Sequence, residues 1–150
     1  MAPVGIILFF AVFFSGVYLA GGSICWFFDT PSFILVFAII FISLASSGRL
    51  SGFLKGMKFW FSGGVDADEP ELENIVRAFD IAFIASLCSG AAGFLLWSIL
   101  ALINMSELPK AGPYMAMACI TALLGIILSF QIFLPARTFF NNKIIHSRGI

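Results

Sequence analysis

Four long apolar segments follow one another along the chain, at 4–20, 33–47, 81–103 and 114–135. A helix needs about 20 apolar residues to cross a bilayer, within a range of about 17 to 25. The last two segments reach this length, and the first two reach it if the first continues through Trp26 and the second starts near Phe33. The pattern therefore predicts an all-α integral membrane protein with four transmembrane helices.

The turn between the first two predicted spans contains an acidic residue in front of a proline. Asp29, Pro31 and Ser32 cannot lie in hydrocarbon at low cost. An aspartate followed by Thr-Pro-Ser is instead typical of a capped helix start at the water boundary. We therefore interpret Asp29 and Pro31 as structural residues of an outer turn and not as a functional site.

Composition agrees with a membrane location. Hydrophobic residues make up 61% of the 150 residues and charged residues 11%, and the mean hydropathy is +1.07. These values lie outside the range of ordinary globular domains. Eight basic residues balance eight acidic ones, so the net charge points to no anionic partner and nucleic acid is not expected.

The distribution of the basic residues predicts the orientation. Seven of the eight lie between spans two and three or after span four: Arg49, Lys55, Lys58, Arg77, Arg137, Lys143 and Arg148. Only Lys110 lies between spans three and four. By the positive-inside rule, the segment 49–80 and both chain ends are cytoplasmic. The N-terminal MAPVG lacks the basic region of a signal peptide, so span one is expected to be retained.

The residue types that carry enzyme or metal chemistry are scattered. Cys25, Cys88 and Cys119 lie in apolar segments without paired spacing, and the single histidine, His146, lies in the polar tail. Metal ligation or a thiol nucleophile needs convergent partners, which this spacing does not provide. We therefore expect no catalytic residue, metal or cofactor, and no enzymatic activity.

The segment 49–80 is the only substantial polar part of the chain. Apolar residues recur at helical spacing from Pro70 onward, which predicts an amphipathic helix that runs directly into span three. Trp60 with Lys58 suits an anchor at the inner interface. The acids between Asp66 and Glu73 are interpreted as a solvated helix cap rather than a site for a basic partner. The resulting organisation is an outer hairpin, a cytoplasmic segment, an inner hairpin and a cytoplasmic tail, at 1–48, 49–80, 81–136 and 137–150.

Spans three and four each carry small residues on one helical face. The residues in span three are Ala82, Ser86, Ser89 and Gly93, with Gly90 beside them, and those in span four are Ala118, Ala122, Gly125 and Ser129. Small residues let membrane helices approach closely, because such helices associate through van der Waals packing and hydrogen bonds. The stripes either pack the helices of one monomer or line a central space filled by another protein. Spans one and two, rich in phenylalanine, suit an outer position in contact with lipid.

Two stretches of the chain carry motifs of a known family. Residues 21–37 contain GGS and FxDxPS before an apolar run, and residues 104–135 contain an acidic-proline turn, a GPxMA helix start and a closing FLP. They resemble the outer turns and the second and fourth helices of the MotA subunits of flagellar stators. Gly90 and Gly93 match two glycines of that family's third helix. The resemblance implies that Pro113 belongs to the outer turn and Pro135 to the inner end of span four.

The resemblance implies an ion-driven stator subunit of the MotA, TolQ and ExbB type in the bacterial cytoplasmic membrane. In that family several copies, typically five, form a ring with spans three and four as the inner layer. The ring surrounds two transmembrane helices of a single-span partner of the MotB, TolR or ExbD type, whose aspartate carries the ion. No charged residue lies within the predicted spans of this chain, so the titratable group of any ion path would come from such a partner.

The chain departs from the family at the predicted ion path. The family's threonines in spans four and three align with Ala122 and Phe94, and Thr121 is rotated from Ala122 by about 100°. The family's large cytoplasmic domain is replaced by about thirty residues. The candidate ion-pathway or partner-facing residues are Ser86, Ser89, Gly90, Gly93, Phe94, Ala118, Thr121, Ala122, Gly125 and Ser129. The favoured function is a motor subunit with a protonic flux, and the alternative is a non-conducting membrane scaffold or assembly factor.

Overall fold

A computed structural model describes residues 2–19, 21, 29–62, 68–106 and 108–147. Regular structure in these ranges is entirely helical, which confirms the predicted all-α class. The helices are α1 (Ala2–Leu19), α2 (Thr30–Ser46), α3 (Leu50–Ser62), α4 (Glu69–Ile103), α5 (Leu108–Ile127) and α6 (Leu134–Ser147), with a π-helical segment (Leu128–Phe133) between the last two.

Two helical units are long and apolar enough to cross a membrane. One is Glu69–Ile103, and the other is the continuous helix Pro109–His146 that α5, the π-helical segment and α6 form together. A third candidate span exists if Thr30–Ser46 and Leu50–Trp60, which are bent by 117°, are one broken span. In α1, the apolar helix Gly5–Leu19 is shorter than a span, and the predicted extension through Trp26 lies outside the described residues. The apolar helices are thus compatible with a multi-pass membrane protein, and the described residues contain two or three candidate spans rather than four.

Helix α4 is the centre of the fold, because α2, α3, α5, the π-helical segment and α6 all pack against it. Its buried residues recur every three or four positions from the first turn as far as Gly93: Leu72, Ile75, Phe79, Ala82, Ser86, Ser89 and Gly93. This spacing places them on one helical face. Large apolar side chains line this face in the first half of α4, and small ones line it in the second half. The two halves therefore differ in how closely a neighbouring helix can approach.

The turn between α2 and α3 is set by a glycine. Gly48 has a φ of +63°, a left-handed conformation that glycine adopts without steric cost. The N–H of Gly48 donates to the carbonyl of Ala45 and that of Arg49 to the carbonyl of Leu44, each at 3.0 Å. These two bonds form the Schellman motif that ends a helix, and they direct α3 back across the first half of α4.

The described residues of the segment 49–80 therefore form two packed helices, α3 and the first part of α4. A Cβ at Gly56 would lie 2.7 Å from side-chain atoms of both Ile75 and Phe79, so this glycine permits the close approach of α3 to α4. Glu71 accepts a hydrogen bond from Lys55 at 2.6 Å, and Asn74 accepts one from Arg49 at 2.6 Å. The helix predicted from Pro70 onward continues without a break into α4.

An aromatic cluster joins α3, α4 and the π-helical segment to α6. The ring of Phe79 lies 5.3 Å from that of Phe53, 6.4 Å from that of Phe133 and 5.7 Å from that of Phe140. Phe140 and Ile144 of α6 are buried. The segment expected to be a cytoplasmic tail from 137 onward is thus helical as far as Ser147 and contributes to the core.

The two later prolines lie inside helices. Pro113 falls within α5, which begins at Leu108, and the helix continues beyond Pro135 into α6. A proline has no N–H to donate and crowds the preceding turn. Before Pro135 the N–H of Leu134 donates to the carbonyl of Ser129, and such wider π-type turns accommodate the ring. Pro113 is therefore helical, and the helix does not end at Pro135, while their places at the outer turn and at the inner end of span four stay predictions.

Candidate partner-facing site on the hairpin of α4 and α5

The ten candidate residues divide into two sets according to burial. Eight of them are buried between α4, α5 and the π-helical segment, and we call them the buried seam: Ser86, Ser89, Gly90, Gly93, Ala118, Thr121, Gly125 and Ser129. The other two are more accessible, since Ala122 is half-buried and the side chain of Phe94 is 39% exposed. The two sets therefore have different chemical surroundings.

Glycines bring the two backbones of the seam into direct contact. A Cβ at Gly125 would lie 2.6 Å from the carbonyl oxygen of Ser86 and 2.7 Å from the Cα of Gly90. A Cβ at Gly93 would overlap the side chain of Thr121 and lie 3.2 Å from Leu35 of α2. The small residues thus pack the helices of a single chain, which is the first of the two interpretations of the stripes.

Hydroxyl groups in the seam bond to each other and to backbone carbonyls. Ser86 and Ser129 share a hydrogen bond across the two helices. The hydroxyl of Ser129 also lies 3.2 Å from the carbonyl oxygen of Phe83 and 2.8 Å from that of Gly125, and Ser89 donates to the carbonyl of Ser86 at 2.9 Å. These groups are satisfied without a contribution from another chain.

A second hydrogen-bonded chain joins α5 to the start of α2. The hydroxyl of Thr121 donates to Ser32 Oγ at 2.7 Å, and the hydroxyl of Ser32 donates to the carboxylate of Asp29. Asp29 also accepts the backbone N–H of Ser32 at 3.1 Å and is the N-cap of α2. The cap follows from the Asp-Thr-Pro-Ser sequence, whereas the contact with Thr121 depends on how α2 and α5 pack and has no local sequence signal.

Another surface of the hairpin carries apolar side chains that are exposed or half-buried, and we call it the front face. Its members are Leu87 and Phe94 on α4, Met115, Cys119, Ala122 and Ile126 on α5, and Phe130 in the π-helical segment, of which Leu87 and Ala122 are half-buried. Ala122 and Phe94 each follow a seam residue that touches α2, so each is rotated by about 100° away from it. The exposed fractions of Ile126 and Phe130 are 50% and 47%. The two positions predicted to align with the family's threonines, Ala122 and Phe94, therefore belong to the front face.

Charged groups lie only at the ends of this hairpin. The sequence has no Asp, Glu, Lys, Arg or His at 81–106 or at 111–136. At the predicted inner end Asp80 pairs with Arg137, and Lys110 lies near the other end. The described residues contain no group of three side chains suited to hold a metal ion. The hairpin can offer an apolar wall, but its membrane portion contains no carboxylate, imidazole or basic side chain.

The predicted outer end of the hairpin, far from Asp80, contains polar atoms that the sequence did not point to. The rings of Trp97 and Tyr114 stack with their centroids 6.2 Å apart. The indole nitrogen of Trp97 and the hydroxyl of Ser98 are buried without a hydrogen-bond partner among the described residues. Buried polar groups are normally paired, so this end differs from the fully bonded seam.

Comparison with known proteins finds no matching family model and no matching curated protein. The sequence pattern and the geometry of the hairpin are therefore what support a functional interpretation of this chain.

Proposed function

We propose that this chain is the multi-span subunit of an ion-driven energy-transducing complex of the MotA, TolQ and ExbB type in the bacterial cytoplasmic membrane. The observation that carries the proposal is the front face. It lies on the two longest helical units, remains exposed or half-buried in the single chain, and includes Ala122 and Phe94, which the family resemblance places at the ion path. An exposed apolar surface suits contact with other protein chains.

The partner in this proposal is a single-span protein of the MotB, TolR or ExbD type. The front faces of several copies, five by analogy with the family, surround its helices and form the inner layer of a ring. An aspartate of the partner carries the ion, because the membrane portion of the hairpin supplies no carboxylate.

The chemistry of the front face favours protons over sodium. Sodium needs several oxygen ligands in a narrow path, whereas a proton needs a titratable group and a hydrogen-bonded route. Ala122 and Phe94 offer no side-chain oxygen, and the hydroxyl of Thr121 is turned toward Ser32. An apolar wall also disfavours the charged form of a carboxylate and so favours its protonation.

At the predicted inner side, the first half of α4 packs with α3 and α6 in a compact body that can transmit movement. A helix of 35 residues is about 52 Å long, compared with about 30 Å for the hydrocarbon core. The excess length lies at the predicted inner side, where α3 and α6 pack on α4 through the aromatic cluster around Phe79. In this proposal a change in the partner's position at the front face tilts α4 and moves this body.

The test is reconstitution with a single-span protein that bears an intramembrane aspartate and is encoded beside this chain. Co-purified complex in liposomes should dissipate an imposed pH gradient in sodium-free buffer, and replacement of the partner's aspartate by asparagine should abolish the flux. Native mass spectrometry should give a stable ring of this chain, with five copies expected. A stable monomer, or a flux that requires sodium and ignores a protonophore, contradicts the proposal.

The second candidate is a non-conducting scaffold or assembly factor with the same fold. Its support is the complete hydrogen bonding of the seam and the lack of side-chain oxygens at Ala122 and Phe94, which leave a surface suited to packing alone. The same experiment separates the two functions. A correctly assembled complex that passes neither protons nor sodium favours the scaffold.

A further inference from the structure

Helix α1 is separated from α5 by an apolar cavity. The packing of α1 against the rest of the chain is chiefly with the π-helical segment and α6. Beside this contact lies a cavity of about 270 Å³. It is lined on α1 by Phe10, Phe13 and Phe14 and on α5 by Ile120, Leu123 and Ile127, and the other lining residues are also apolar.

The cavity lies at the depth of the hydrocarbon core. Leu123 is 13 residues from Lys110 and 14 residues from Arg137, which bracket the apolar part of this helix. At 1.5 Å per residue, Leu123 is about 20 Å from each of these charges. The lining residues are therefore centred near the middle of a bilayer about 30 Å thick.

We infer that this cavity is a binding site for one acyl chain of a membrane phospholipid. Water gains no hydrogen bonds there, because every lining side chain is hydrocarbon. An empty space deprives those side chains of dispersion contacts. Phospholipid chains are the abundant apolar groups at this depth, and they are narrow and flexible enough to enter.

The size of the cavity suits a narrow occupant. Its volume is about 270 Å³, just below the range of about 300 to 1,000 Å³ typical of small-molecule pockets. A helix with its side chains is about 10 Å wide, whereas an acyl chain is far narrower. A segment of one acyl chain is therefore the occupant that this inference takes.

The wall on α1 is preorganised for such a chain. Phe9 stacks with Phe13 and Phe10 stacks with Phe14, with ring centroids 6.1 Å and 5.9 Å apart. Each pair spans one helical turn. The acyl chain fills the gap between these rings and the branched side chains of α5, and it links α1 to the bundle at a level where the protein itself leaves a gap.

The experiment counts phospholipids that stay bound to the full chain after extensive detergent washing. Native mass spectrometry and phosphate analysis should give one phospholipid per wild-type chain. Leu123→Trp fills the cavity and should lower retention about tenfold at matched wash volume. Leu95→Trp makes the same change at a residue of α4 that is 60% exposed and does not line the cavity, and it should retain the lipid.

Bound phospholipid is counted per chain, so the result tests the inference whether or not the ring assembles. Wild-type chain without bound phospholipid, equal retention in Leu123→Trp and Leu95→Trp, or an isoprenoid in place of the phospholipid would each overturn the inference. If circular dichroism shows that Leu123→Trp is not folded, Ile120→Phe supplies a smaller filling change, and its retention should fall between those of wild type and a fully filled cavity. A folded monomer with one bound phospholipid supports the inference and contradicts the proposed ring.

Discussion

On the side of the hairpin that faces α2, glycines and hydroxyls bring α4 and α5 into backbone contact, whereas on the front face bulky apolar side chains remain exposed. Gly125 and Ser129 lie on the first side. The residue after each of them, Ile126 and Phe130 respectively, lies on the front face. The small residues and hydroxyl bonds of the seam are used within one chain. The seam therefore holds the monomer together, and the front face is the surface that we propose other chains contact.

The strongest test of this comparison is Gly125→Leu in the seam. A Cβ at this position already comes within 2.6 Å of the carbonyl oxygen of Ser86, and backbone atoms cannot yield without separating α4 from α5. Overpacking of this kind costs about 3 kcal/mol or more. We expect loss of monodisperse protein and a lower thermal midpoint in detergent. Ile126→Leu, one position away on the front face, is the matched control and should behave as wild type.

The next largest effect is expected for Thr121→Val, which keeps the shape of the side chain and removes the hydroxyl that bonds to Ser32. Interhelical hydrogen bonds in membrane proteins contribute about 0.6 to 2 kcal/mol. The stability of the monomer should therefore fall by about 1 kcal/mol, measured by denaturant titration in micelles. Thr121→Ser retains the hydroxyl and should recover most of the hydrogen-bond contribution. Equal losses in the two variants would mean that this hydrogen bond does not stabilise the seam.

A smaller effect is expected at the ion pair below the seam. Asp80 and Arg137 pair at the predicted inner end with side chains that are 37% and 47% exposed. Exposed pairs of this kind contribute less than about 1 kcal/mol and are screened by salt. Asp80→Asn should therefore lower stability slightly at low ionic strength and leave it nearly unchanged at high ionic strength. A large loss of stability that does not depend on salt would instead indicate that Asp80 belongs to the buried hydrogen-bond network of the seam.

The spacing of apolar residues along the chain predicts much of this fold. It does not predict how each helix is rotated about its own axis. The continuation of the helix from Pro70 into span three follows from the spacing of Leu72, Ile75 and Phe79. Sequence spacing also predicts that small residues share one face. It cannot specify that Thr121, rather than Ala122, turns toward α2, because the rotation of a helix about its axis depends on its neighbours.

Two prolines lie inside helices where the family resemblance implies a turn and a span end. The resemblance implies an outer turn at Pro113 and the inner end of span four at Pro135, and the helix is continuous through both, although proline normally interrupts a helix. Membrane helices tolerate proline where neighbouring helices or wider turns compensate for the lost hydrogen bond. The spacing of Ala136, Phe140 and Ile144, four residues apart, was the available signal that the helix continues beyond Pro135.

The smallest effect on the monomer, and the sharpest test of the front face, is expected for Ile126→Ala. The Ile126 side chain is half exposed, so its truncation should change monomer stability by less than about 0.5 kcal/mol. In the proposed complex the same side chain packs against another chain, so the yield of ring and of partner complex should fall. Leu95→Ala truncates a comparably exposed residue of α4 away from the front face and should leave both yields unchanged. Thermal unfolding of the monomer and native mass spectrometry of the complex give the two measurements. If Ile126→Ala and Leu95→Ala reduce assembly equally, or if Ile126→Ala unfolds the monomer, the front face is not the surface that other chains contact.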